Sequence, residues 1–333
     1  MLAAVTNPIH MRLFHRKIAL FCGLIVLCVF VGQGVFFIRA NSQTVDEATH
    51  LAAGYSYLTT RDFRLDPEHP PFIKELQVLP LWVIYKLPFR PDLQQWREAD
   101  QEQIGLDFLY KSAIPADQIL AWSRFTNLFL GVLLVTLIGW WAYRLWGILP
   151  AMLAMALACF EPNLVAHSAL VTTDLGVALF IFLAVYLLWE YLQLPTWGRL
   201  AAVGVSTGLA LAAKFSALFL VAALSGIFAL LVIAGEPCAL PSNKNRIDRW
   251  PKTAQAGTLF LIVLFVAFLT IFPVYFFQGI VPWVTGLREF LTHADTGHLS
   301  FFLGDYSYEG WWDYFGIAFL IKTPIGSLLL IAA

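Results

Sequence analysis

The chain has 333 residues, 59% hydrophobic and only 13% charged, with a formal net charge of −1 and a mean hydropathy of +0.71. That balance lies well outside the range of soluble globular domains. Without a basic tract or an RNA-binding pattern, it gives no indication of a nucleic-acid partner. Apolar runs of about 20 residues recur, and a helix of that length crosses the roughly 30 Å hydrocarbon core of a bilayer. The fold class is therefore an all-α polytopic membrane protein.

In chain order, residues 1–17 form a cytoplasmic N-terminus carrying Arg12, Arg16 and Lys17, and a transmembrane domain occupies 18–333. Its first span, 18–38, is too long for a signal-peptide core and is followed by no small-x-small cleavage site, so it reads as an uncleaved anchor. A polar segment, 39–118, comes next. Apolar runs follow near 119–143, 148–165, 173–193, 199–213, 215–235, 254–277 and 312–333, giving about eight spans. Lys and Arg placement sets the orientation. Arg144, Arg199 and the cluster Lys244, Arg246, Arg249 and Lys252 fall in loops that return to the cytoplasm, so 39–118 and 278–311 face outward. The final run stops inside an apolar stretch, which reads as a fragment with further spans missing. Cys22, Cys28 and Cys159 fall in spans and Cys238 in a loop, with no zinc or disulfide spacing.

The stretch 44–72, "TVDEATHLAAGYSYLTTRDFRLDPEHPPF", concentrates five carboxylates and two histidines just past the first span. Thr44 and Glu47 are spaced as a capping box, which predicts a helix beginning at Val45. As a cap alone, Glu47 would tolerate Gln. Asp46 and His50 are spaced i,i+4 on that helix, with Gly54 and Tyr57 continuing the same side. Asp46 lies at the membrane surface, where ionisable groups facing other helices are functional candidates. Its carboxylate could serve as general base on a hydroxyl. With His50 or a second carboxylate it could also hold a hard divalent cation such as Mg²⁺ or Mn²⁺; no other cofactor is indicated. Pro70 and Pro71 after Glu68 and His69 force a rigid exit, and "FIKELQVLPLWVIYKLPF" has the pattern of a helix lying in the interface.

Further polar outliers are few. Arg124 sits one turn into a span, where a lone guanidinium either snorkels, pairs with a carboxylate or binds an anion, phosphate above all. Asp174 opens a span beside His167, where N-capping by Thr172, Thr173 or Asp174 is the plain alternative. Lys214 lies between two apolar runs. Gly204 and Gly208 make a GxxxG packing seam. The spacing His293, Asp295, His298 could hold a metal, on a loose pattern.

Taken together, "DEATHLAAGYSYLTTRDFRLDPEHPPF" resembles the first outer loop of the polyprenyl-phosphate-dependent glycosyltransferases of family 39, which have the GT-C fold and include protein O-mannosyltransferases and the lipid A aminoarabinose transferase. The shared pattern is an acidic pair (Asp46-Glu47), a Gly-Tyr step (Gly54-Tyr55), then Arg61-Asp62-Phe63 and His69-Pro70-Pro71. "TTDLGVALF", "GLALAAKFSALFL" and "GWWDYFGIAFLIKTP" resemble later family segments in the same order. Where members often carry Lys before the double proline, this chain has His69.

The resemblance implies a GT-C-like transmembrane bundle and a sugar arriving on a polyprenyl-phosphate donor. Asp46, with Glu47 beside it, would be catalytic and take the proton of the acceptor hydroxyl. Arg124 first, then Lys214 and His69, would hold the leaving phosphate, and Asp174 would orient the sugar or acceptor. His50 and Tyr55 would line the substrate site. The acceptor would be a lipid, glycan or protein, and the site would face the periplasm or exterior from a bacterial inner membrane, among membrane lipids. Two other classes compete: a secondary transporter, because intramembrane acids and a Lys suit proton coupling, and a non-catalytic polysaccharide-assembly protein with the same fold.

Overall fold

The computed structural model describes residues 8–235, 241, 251–296 and 299–332, with side chains from residue 20 onward except 294–296. Cys238, Lys244, Arg246, Arg249 and His298 lie outside the described residues, as do the side chains of Arg12, Arg16, Lys17 and Asp295. Among the described residues the chain is predominantly helical. Its elements are α1 (Pro8–Ala40), α2 (Glu47–Thr60), α3 (Phe72–Pro80) with a π-turn at Leu81–Tyr85, α4 (Gln94–Arg97), α5 (Gln101–Tyr110), α6 (Ala116–Trp146), α7 (Ile148–Cys159) and α8 (Pro162–Ser168). They continue with α9 (Asp174–Gln193), α10 (Trp197–Ala213), α11 (Leu218–Ile233), α12 (Lys252–Val274), α13 (Val281–Thr296), a hairpin of β1 (Ser300–Phe302) and β2 (Asp305–Ser307), α14 (Tyr314–Lys322) and α15 (Ile325–Ala332).

All eight apolar runs of the sequence fall on helices. Among the described residues, five helices are long and apolar enough to cross a membrane, and the bent pairs α7–α8 (65°) and α14–α15 (113°), each taken as one span, raise that to as many as seven. The remaining run is α10, whose 17 residues extend only about 25 Å at 1.5 Å per residue. The protein is an all-α polytopic membrane protein.

The chain divides into two compact units. The first comprises 1–41, 128–169 and 310–333. In it α1 packs on α7 and α8, and Gln33 donates to the carbonyl of Cys159 at 3.1 Å. The second comprises 42–127 and 170–309 and holds every candidate site residue. Its core joins α2, α3 and α5 through Leu51, Ala52, Tyr55, Leu65, Val78 and Leu109, and α10 packs between α9 and α12. The Gly204/Gly208 seam faces α12: a Cβ on Gly208 would stand 2.5 Å from the Ala267 carbonyl oxygen. The missing side chains let the two backbones meet.

Helix α2, "EATHLAAGYSYLTT", is buried along most of its length, so it is held by neighbours on nearly every side instead of by one amphipathic stripe. It starts at Glu47, two residues later than the capping box predicts. Thr44 supplies only half of that box: its backbone N–H donates to Glu47 Oε2 at 2.8 Å. Gly54 lets α3 press against α2, since a Cβ there would lie 2.5 Å from the Lys74 carbonyl oxygen. Helix α3 and its π-turn expose Leu79, Trp82, Val83 and Ile84, in keeping with an interfacial helix. Lys74 departs from that expectation. It turns inward and is fully buried.

Candidate active site

The first turn of α2 separates two adjacent carboxylates. Asp46 is the exposed N-cap residue, and its side chain makes no capping hydrogen bond. Glu47 is completely buried. Its Oε1 accepts from Arg124 Nε at 2.8 Å and from the Val171 N–H at 2.9 Å. Oε2 accepts from Arg124 Nη2 at 2.6 Å and from the Thr44 N–H at 2.8 Å. Burial alone would raise the Glu47 pKa, but the bonds from Arg124, Thr44 and Val171 outweigh it and hold this carboxyl below its ordinary value. Arg124, itself 1% exposed, also donates to the Ser42 carbonyl at 2.8 Å. Of the three roles open to a lone Arg in a span, the structure displays carboxylate pairing.

Val171 ties a second stretch to this turn. Its carbonyl accepts from His50 Nδ1 at 3.0 Å, so the same residue bonds Glu47 through its N–H and His50 through its oxygen. Three residues on, Asp174 opens α9, which keeps its Cα within about 11 Å of the Val171 Cα. The Asp174 carboxylate, 44% exposed, receives Lys214 Nζ at 2.6 Å. The two residues expected to contact substrate, Asp174 at the start of α9 and Lys214 just past the end of α10, thus form a partly open ion pair.

Behind the α2 turn lies a cluster that the sequence only half reveals. Asp66 is buried, with Lys74 Nζ 2.9 Å from Oδ2 and His69 Nδ1 donating to Oδ1 at 2.8 Å. His50 Nε2 stands 3.5 Å from Oδ2, and the two imidazoles meet edge-on at 5.1 Å. Lys74 also donates to the Tyr57 hydroxyl at 3.0 Å and to the Asp66 carbonyl at 2.9 Å, and Tyr57 donates to the Leu65 carbonyl. Burial opposes charge on Asp66, yet Lys74 and His69 hold its carboxyl well below the ordinary range. Burial pushes His50 down, partly offset by Asp66. The i,i+4 spacing of Asp46 and His50 is joined by no side-chain bond among the described residues. The carboxylate that His50 faces is Asp66. Two imidazoles and one carboxylate are the residues here that could hold a metal, a donor set less suited to Mg²⁺ or Mn²⁺, which take oxygen ligands.

Tyr55 stands apart from these groups. It is 2% exposed, rests against Phe89 and Phe108, and donates its hydroxyl to the Leu87 carbonyl at 2.7 Å. That places it in the core and not on an open surface. The Arg61-Asp62-Phe63 step lines a cavity of about 590 Å³ together with Arg64, Gln278 and Glu289. Sequence reasoning missed Asp66 and Lys74. The Asp66-x-x-His69 spacing was the available signal for the first, whereas a Lys in an amphipathic pattern reads as a surface residue.

A family model for dolichyl-phosphate-mannose-protein mannosyltransferases matches residues 20–294. No curated protein and no solved structure gives a match. The family match takes in the acidic turn of α2, the Asp66 cluster, Arg124 and the Asp174–Lys214 pair, and it spans most of the 333 residues. The chain belongs to the dolichyl-phosphate-mannose-protein mannosyltransferase family.

Proposed function

We propose that the protein moves a sugar from a polyprenyl-phosphate donor to an acceptor hydroxyl at the outer membrane face, with Asp46 as general base. Family membership carries the coarser part: a membrane glycosyltransferase drawing its sugar from a lipid-linked donor. One observation carries the assignment to Asp46. Its carboxylate is exposed and unbonded among the described residues, while the next residue, Glu47, is locked by four N–H donors. A base must be free to meet its substrate yet rigidly placed, and a free carboxylate on a clamped turn meets both needs.

In the reaction, Asp46 takes the acceptor's O–H proton as that oxygen attacks the anomeric carbon. The bond from that carbon to the lipid phosphate breaks, and its electron pair leaves on the phosphate oxygen. Direct displacement inverts the anomeric carbon. Negative charge grows on the departing phosphate, so a fixed cation beside it lowers the barrier. The geometry favours Lys214 over Arg124 for that role. Both forks of the Arg124 guanidinium are engaged by Glu47 and Ser42, whereas Lys214 is partly exposed and its ammonium bonds Asp174 alone among the described residues. Asp174 would then orient the sugar or acceptor from the same open pair. The direct bonds from Glu47 to Arg124 and Val171 gather the acidic turn with the approach to Asp174, which argues against a scaffold that keeps the fold without a site. The orientation read from the Lys and Arg pattern, with 39–118 outside, puts this site at the outer face.

The test is release of labelled sugar from polyprenyl-phosphate sugars in membranes, for the natural chain and Asp46→Asn. The amide keeps the shape but cannot take a proton, so turnover should fall by roughly 10²–10⁴-fold with donor binding and thermal stability unchanged. Near-normal turnover in Asp46→Asn would remove Asp46 as the base.

A further inference from the structure

We propose that His50, Asp66 and His69 form a binding site for a borderline divalent transition metal, zinc being the type case. The three residues each offer a donor atom, and those atoms lie within 4.8 Å of one another. A tetrahedral zinc ion with bonds of about 2.0–2.1 Å needs its ligands roughly 3.3 Å apart. The present separations to the carboxylate are 2.8 Å for His69 Nδ1–Asp66 Oδ1 and 3.5 Å for His50 Nε2–Asp66 Oδ2, each imidazole facing a different oxygen. Closing the three donors, now within 4.8 Å of one another, onto one ion takes side-chain shifts on the order of 1 Å.

The surroundings have the form that metal sites require beyond their ligands. Metal-binding imidazoles characteristically donate their other N–H to a carbonyl or carboxylate, which fixes the ring and directs the remaining lone pair. His50 does this: Nδ1 donates to the Val171 carbonyl at 3.0 Å, leaving Nε2 turned to Asp66. Asp66 is held from behind, since Lys74 Nζ binds Oδ2 at 2.9 Å and leaves Oδ1 for the ion. The ion would replace the proton that His69 now shares with Asp66 Oδ1. Lys74 also repels a cation, so the affinity should be below that of a site with the same ligands and no ammonium. Two nitrogens and one oxygen select zinc-like ions over Mg²⁺. Because His69 is 31% exposed while His50 and Asp66 are buried, the fourth position opens on the His69 side, to water. The bound ion would clip the 61–71 segment to α2.

Full-length protein carrying no histidine tag, purified in detergent, would be loaded with Zn²⁺, desalted and its metal content measured. Retention of one Zn²⁺ per chain, a higher Tm on loading and the visible bands of tetrahedral Co²⁺ after cobalt substitution are expected. His69→Ala, at the partly exposed ligand, should keep the fold and weaken Zn²⁺ binding by roughly a hundredfold or more, beyond the loss typical of an outer-shell partner. His50→Gln provides a second ligand deletion. Excess Mg²⁺ should not displace the zinc. Failure to retain metal, equal retention in the natural chain and both variants, or ready displacement by Mg²⁺ would each overturn the site.

Discussion

Helices α2 and α3 each carry a glutamate in their first turn, Glu47 and Glu75, and the two are driven to opposite protonation states. A helix N-terminus favours a carboxylate at both positions, by an amount on the order of 1 kcal/mol. Glu47 has four N–H donors and is held below its ordinary pKa. Glu75 is half-buried, its Oε1 closed off from solvent with no partner among the described residues, and burial pushes its carboxyl up to about 8, Lys74 offsetting only part of that. The neighbouring ammonium is directed elsewhere, to Asp66 and Tyr57. Position in a helix therefore does not decide the charge of a buried acid. The donors that the tertiary fold brings to it do.

The strongest way to break that contrast is at Glu47. Read as a capping residue, Glu47 would tolerate Gln; the structure reverses that expectation. Glu47→Gln leaves the Arg124 guanidinium buried without its anion, and breaking such a pair costs roughly 3–5 kcal/mol. Tm in detergent should fall steeply, and turnover should fall with it as Asp46 loses its fixed position. An unchanged Tm would mean that this pair does not hold α2 in place.

A smaller effect separates fixed from available cations. Arg124→Lys should lower Tm, because one ammonium cannot reproduce the two-pronged contact with Glu47, while donor affinity stays unchanged in the protein that remains folded. Lys214→Ala should do the reverse. Its pair with Asp174 is partly exposed, and such pairs contribute about 0–1 kcal/mol to stability. Its loss should nonetheless weaken donor binding by ~1.5–3 kcal/mol, the worth of a hydrogen bond to a charged group. Titration with a polyprenyl-phosphate sugar, alongside a thermal melt, distinguishes the two variants. Weaker donor binding in Arg124→Lys but not in Lys214→Ala would return the phosphate role to Arg124.

The contrast also marks what the sequence could disclose. Runs of apolar residues have a local signature, so every one of the eight was legible, and so was the concentration of acids and histidines at 44–72. Partners joined across the fold were not. Glu47 meets Arg124 from 77 residues away and Val171 from 124, distances at which spacing carries no information, so a structural clamp and a phosphate ligand look alike in Arg124. Asp46 and Glu47 are adjacent and chemically similar, and only burial tells the free carboxylate from the clamped one. Tyr55 and Tyr57 both sit in a motif, yet one is bonded into the Leu87 turn and the other to Lys74 and Leu65.

Glu75 gives the subtlest measurement. A carboxyl whose folded pKa is raised from 4.5 to about 8 binds its proton more tightly in the folded chain than in the unfolded one. Its contribution to stability is fully present below pH 4.5 and is lost as the pH rises toward 8. The charged and titratable groups that act on it are Lys74, which lowers its pKa, and the hydroxyls of Tyr57 and Tyr275, whose own pKa values are raised chiefly by burial and also by Glu75. Neither tyrosine ionises below pH 8, and the opposite contribution of His50, whose pKa is lowered by burial, is common to both proteins, so the difference between the natural chain and a Glu75 variant in this window belongs to Glu75. Glu75→Gln keeps the shape of the neutral acid and removes the titration. Its Tm at pH 5 should lie within a few degrees of the natural chain's, the scale of a change of about 1 kcal/mol or less in a protein of this size. Between pH 5 and pH 8.5 the natural chain should lose more Tm than the variant, with both held in the same detergent and salt. Parallel losses in the two proteins would show that Glu75 is already ionised at pH 5, and that α3, like α2, supplies its first-turn acid with the donors to keep it charged.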